Sequence, residues 1–200
     1  SLQSQSHGRS VNLLVWHWGR LGAGPLYTLK MSQALMAISN VSICISYSAQ
    51  NEYVQDFREL PVPRLEVDTF TTAFDGLKQS LRLPQIRRRF NKFLTENDID
   101  VAYCPMWHPW NSAMVNVLRK RKIPYVLTVH DAVRHQGDSG RVQRWVEGYE
   151  QRRADAYIAL SQHVKSELEG RRFHPSFGTT VIPHAPFTYS SSLHEENDAP

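Results

Sequence analysis

The chain has 200 residues, 41% of them apolar, with a formal charge of +4. That supplies the core of one large domain or of a tightly joined pair, and it excludes a disordered polyelectrolyte. No run reaches the length of a membrane span, and the polar opening residues lack the basic-then-apolar order of an export signal. Residues 1–10 read as a tag remnant or a disordered terminus, outside any fold reasoning.

The apolar run at residues 11–15 predicts a buried strand. It leads into Trp16-His17-Trp18-Gly19-Arg20-Leu21-Gly22-Ala23-Gly24-Pro25 and then a periodic helix over 26–38. Three glycines remove Cβ atoms where the backbone turns sharply, and Pro25 suits the opening of the helix, where a missing N–H costs nothing. The remaining amides of that turn suit an anion, most often a phosphate, although a plain tight turn has the same sequence. The glycine order is G-x-x-G-x-G, not the G-x-G-x-x-G of dinucleotide folds. The second strand, residues 41–47, ends in Ser48-Ala49-Gln50-Asn51, with no carboxylate placed for a ribose hydroxyl. Both points disfavour a dinucleotide oxidoreductase.

A proline-punctuated stretch, a short extended piece at 65–67 and a long helical region over 73–96, interrupted near Pro84, come next. Residues 101–104 predict a strand, 110–120 a helix and 124–129 a nearly all-apolar strand, which implies burial on both faces. A helix over 140–153, a strand at 156–160, a helix capped by Ser161 and stopped by Gly170, and a strand at 180–182 complete the alternation. The expected fold is an α/β doubly wound, mostly parallel sheet, with the loops at 16–24, 105–110, 130–137 and 160–161 sharing its carboxyl edge.

Cys44 and Cys104 sit in predicted strands without a C-x-x-C pair, and read as buried thiols of a reducing compartment such as the cytosol. His130 and His135 lack further ligands at metal spacing, so no metal is expected. Trp107-His108-Pro109-Trp110 offers aromatic faces to a sugar or lipid, or else wedges into the core; Trp16, His17 and Trp18 pose the same choice. The helix from Arg82 to Leu94 has Ile86, Phe90, Phe93 and Leu94 on one arc and Arg87, Arg88, Arg89 and Lys92 around the other. Either it rests on an anionic leaflet or its apolar arc packs on the sheet. Nucleic acid is disfavoured as a partner, since no aromatic platform or reader motif accompanies the basic clusters.

Gly22-Ala23-Gly24-Pro25-Leu26-Tyr27, the strand end Val126-Leu127-Thr128-Val129-His130-Asp131, the stretch from Arg153 to Ser161, and Val181-Ile182-Pro183 together resemble the N-terminal domain of GT-B glycosyltransferases, in the large retaining group called group 1 or family 4. The resemblance implies a Rossmann-like domain over 11–187, with 188–200 as a linker toward an absent C-terminal donor-binding domain. It implies transfer of a sugar from a nucleotide-diphosphate donor, the co-substrate, to an acceptor hydroxyl, lipid-linked or in a polysaccharide precursor, with no cofactor and no metal. Gly22, Ala23 and Gly24 would face the donor diphosphate, and His130 would be catalytic, contacting the transferred sugar. Trp16, His17, Trp107, His108, Asp131 and Ser161 would bind the acceptor, although Ser161 is first a helix cap, with ligand contact secondary, and an acid at Asp131 more often caps the next turn. A cytoplasmic enzyme touching the inner face of the membrane is implied. The Asn-Gly that commonly follows Ile-Pro in the family is His184-Ala185 here. The alternative is a non-catalytic module that binds a phosphorylated ligand or a partner.

Overall fold

The computed structural model describes residues 9–69, 81–108, 110–130, 152–170 and 174–183. Among the described residues seven strands form one sheet: β1 (Val11–His17), β2 (Val41–Ser48), β3 (Arg64–Val67), β4 (Val101–Cys104), β5 (Tyr125–Val129), β6 (Ala156–Ala159) and β7 (Thr179–Val181). Their order is β3-β2-β1-β4-β5-β6-β7, and every pairing is parallel. All carboxyl ends therefore share one edge, as the alternation predicts. The sheet reverses direction of winding between β1 and β4, and crevices of open α/β sheets form at that point.

Among the described residues the helices are α1 (Ala23–Met36), α2 (Val54–Glu59), α3 (Leu83–Glu96), α4 (Asn111–Lys120) and α5 (Gln162–Glu169). Two starts differ from expectation. Helix α1 begins at Ala23, two residues before Pro25, because Gly22 supplies the N-cap with φ +85°. A proline in the third helical position still displaces no intrahelical bond. Pro84 opens α3 where an interruption was expected. Helix α2 was not anticipated: its six residues are too short for a period, and it is held by burial of Phe57 against Tyr47, rings stacked 4.8 Å apart. The expected helix over 140–153 lies outside the described residues.

The larger core lies beneath α3 and α4. Trp16, Trp18, Phe90 and Tyr125 pack there with ring centroids 5.2–5.9 Å apart, joined by Ile86, Phe93 and Leu94. Burying that arc of α3 is worth roughly 1.5–3 kcal/mol per side chain, so it faces the sheet and its cations face water. The arc is therefore spent in the core, and the basic face alone is left for a partner. The other face of the sheet packs Val15, Leu29, Ile43, Ile45 and Phe57. Both cysteines are buried thiols outside any disulfide, and burial pushes the Cys44 thiol up to about 11. No described helix is long and apolar enough to cross a membrane.

Candidate functional site

The site is assembled where β1, β4 and β5 end. His17, the last residue of β1, donates Nδ1–H to the carbonyl of Met106, just past β4, at 2.9 Å. His130, just past β5, donates Nε2–H to the carbonyl of Pro105 at 2.8 Å. A carbonyl only accepts, so each bond fixes where the ring carries its proton. Two imidazoles thus tie three strand ends together. The His130 ring also meets Tyr27 of α1 edge-on at 5.5 Å.

The glycine turn lies directly over His17. A Cβ on Gly19 would sit 2.3 Å from His17 Nε2, and one on Gly24 would sit 2.7 Å from the same atom and 2.6 Å from Met106 Sδ. Glycine at these two positions is a requirement of close approach, whereas at Gly22 it is required by the positive φ. Gly22 and Ala23 are exposed at the start of α1, and Gly24 is buried. The amides of Ala23 and Gly24 stand in the first turn, where a helix offers no internal partner.

The electrostatics follow from burial. His17 is 2% exposed and its pKa falls to about 4, mainly by desolvation, partly offset by the Met106 carbonyl and lowered further by His130. His108 falls to about 3, again mainly by desolvation, with His17 and Arg20 adding to it. Both rings are neutral at pH 7. With its proton on Nδ1, His17 presents a lone pair at Nε2, and that atom has no hydrogen-bond partner. Asn51 Nδ2, Trp107 Nε1 and Trp16 Nε1 are likewise buried without one. His17, Asn51 and Trp107 lie at or beside the carboxyl ends of β1, β2 and β4, whereas the Trp16 indole lies in the core.

Several expected contact residues stand elsewhere. Trp16 is fully buried in the core against Phe90 and Tyr125, so it rims no pocket; its indole points to the apolar side of β1. Trp18 is equally buried, its Nε1–H donated to Ser46 Oγ at 2.9 Å. His108 is 7% exposed, packs edge-on against Trp18 and Trp110, and accepts Trp110 N–H at Nδ1, which makes it a loop brace and corrects its placement on an acceptor rim. Trp107 is half-buried on that loop. Ser161 caps α5, accepting Val164 N–H at 3.2 Å. Asp131 lies outside the described residues.

One neighbour of the glycine turn was missed. The residues closing β2 place no carboxylate for a ribose hydroxyl, yet the chain folds back after Ser48 so that Glu52, one residue past Asn51, accepts Gly22 N–H at 2.7 Å. The signal was present as an acid after β2, hidden by the turn that redirects it. Among the described residues no group of three or more His, Cys, Asp or Glu side chains is placed to hold a metal ion.

A parallel sheet in this order, with a glycine turn at its reversal point and histidines at its strand ends, is a Rossmann-like domain. Residues 57–185 match the model of Glycosyltransferase Family 4, and the chain belongs to that family. Solved structures of similar fold include MurG of Acinetobacter baumannii (10% identity, TM-score 0.55, covering 74% of this chain and 41% of that one). LpCGTa in complex with UDP is similar at 15% identity and TM-score 0.61, over 90% and 53% of the two chains. The UDP-GlcNAc 2-epimerase of Neisseria meningitidis bound to UDP-GlcNAc matches at 12% identity and TM-score 0.61, over 86% and 45%. At these identities the likeness is one of fold, and the chain spans about half the length of each. No curated protein matches the chain in sequence.

Proposed function

We propose that this chain is the acceptor-side half of a retaining glycosyltransferase that moves a sugar from a nucleotide-diphosphate donor to an acceptor hydroxyl, completed by a C-terminal donor-binding domain. The observation that carries the reading is that the glycine turn at 22–24, beside the reversal between β1 and β4, and His130, bonded to Pro105 past β4, share one sheet edge. Helix-start amides stabilise charge growing on a leaving diphosphate without a metal. His130 is oriented by its bond to Pro105, and from there it contacts the transferred sugar; holding the anomeric carbon in line supplies much of the rate. Family membership and the UDP and UDP-GlcNAc bound to neighbours of the same fold support the substrate class.

The acceptor docks beside this edge, with Trp107, half-buried on the loop after β4, as its aromatic face. The exposed face of α3 carries Arg87 and Arg88, which with Lys120 line a groove of about 340 Å³ against α4. That surface contacts an anionic cytoplasmic leaflet by charge alone, suiting a lipid-linked acceptor.

The test is turnover of the intact protein with a panel of nucleotide sugars. His130→Ala should lower kcat by about 100-fold or more while the melting temperature holds within a few degrees. Unchanged turnover removes His130 from the site, and no transfer from any donor overturns the function.

A further inference from the structure

Glu52 is placed by two bonds to the glycine turn, not by a role in α2. It is exposed, it precedes α2, and the first-turn acid of that helix is Asp56. Its backbone N–H donates to Arg20 O at 2.9 Å, while its carboxylate accepts Gly22 N–H at 2.7 Å. The loop after β2 therefore grips the glycine turn by two oppositely directed bonds, one of them charge-assisted. Gly22 is the N-cap of a fourteen-residue helix, at φ +85°, and its amide is the outermost donor of that turn.

The grip closes the turn over a poor environment. His17 Nε2, a lone pair by the tautomer argument, is buried under Gly19 and Gly24 with no donor to meet it. Asn51, beside Glu52, keeps its Nδ2 buried and unpaired as well. An unmet buried polar atom costs about as much as a charge-assisted bond returns, so the closed turn is held by Glu52 against a comparable penalty. Two anions cannot share one N–H, and a diphosphate arriving at the turn meets the carboxylate already there.

We propose that Glu52 is a self-blocking carboxylate: it occupies Gly22 N–H in the empty protein, holds the turn shut over His17, and is displaced by the donor diphosphate. Release uncovers His17 Nε2 as an acceptor for a substrate hydroxyl. The inference rests on the reading of the glycine turn as the diphosphate site.

Titration calorimetry of the intact protein with UDP and with inorganic pyrophosphate tests it. Glu52→Ala should tighten both by at least about fivefold, and Glu52→Gln by less, since it keeps an acceptor oxygen without the charge. In the absence of ligand, acylation of His17 by diethyl pyrocarbonate, mapped by mass spectrometry, should rise several-fold in Glu52→Ala. Ala23→Pro removes one amide at a helix position that tolerates proline and serves as the control. If it weakens diphosphate binding while both Glu52 variants leave affinity and His17 labelling unchanged, the block alone is overturned. If diphosphate binding is absent or indifferent to Ala23→Pro, the diphosphate reading falls and the block falls with it.

Discussion

The two edges of the sheet are built on opposite plans. At the amino edge, carboxylates anchor the strand starts: Asp100 accepts Asn12 N–H at 3.0 Å and pairs with Arg9, and Asp155 accepts Tyr125 N–H at 2.8 Å. At the carboxyl edge, imidazoles anchor the strand ends through carbonyls, and buried side-chain nitrogens of His17, Asn51 and Trp107 are left without partners. The amino edge is arranged for stability. The carboxyl edge carries unmet polar groups at a cost, which is the mark of a surface shaped for something that arrives later.

Acid separates the two edges most strongly. The folded chain resists protonating His17 until about pH 4, whereas the unfolded chain takes that proton near pH 6.5. Below pH 6.5 the unfolded state binds more protons, so stability falls as pH falls and levels off below about 4. The loss from His17 is on the order of 3 kcal/mol, and His108 adds to it down to about pH 3. Urea melts from pH 7 to 4 should show this slope, and His17→Gln should remove a large part of it between pH 6.5 and 4.5. A flat profile would mean these rings are not held neutral.

Single substitutions sharpen the contrast at smaller cost. Gly19→Ala drives a methyl into His17 Nε2 and should cost about 1–3 kcal/mol and weaken diphosphate binding together. Asp155→Ala strands the Tyr125 amide and should also cost about 1–3 kcal/mol, with diphosphate affinity untouched. Calorimetry beside urea melts reads both; coupled losses at the amino edge would erase the distinction. Smallest is Arg87→Ala with Arg88→Ala on exposed α3, which should leave stability within about 0.5 kcal/mol and lower binding to vesicles containing anionic lipid. Unchanged vesicle binding would remove the membrane from the proposal.

Much of this architecture is legible in the chain. Alternating apolar runs and helical periods give the strands to within a residue or two, because a strand buried on both faces is apolar throughout. The parallel order then places the glycine turn, Pro105 and His130 at one edge without further information. What escaped is what depends on which way a side chain turns. Trp16 and Trp18 lie on the same face of the chain, two residues apart, and periodicity alone does not say that this face meets Phe90. His108 looks like a loop ligand because nothing local reveals that Trp18 and Trp110 enclose it. Glu52 escaped because its role depends on a reversal of the backbone after Ser48, and that reversal is fixed by contacts thirty residues away.

The bond from His17 to Met106 joins residues 89 apart in sequence, and β1 pairs with β4 across a similar interval. By contrast β1 and β2 lie thirty residues apart and pair along their whole length. Closing the longer loop costs more chain entropy, so the β1–β2–β3 half has the shorter route to order and the β1–β4 seam forms late. The edge proposed to meet substrate thus depends on a long-range closure: a chain interrupted before residue 106 lacks the carbonyl that sets the tautomer of His17.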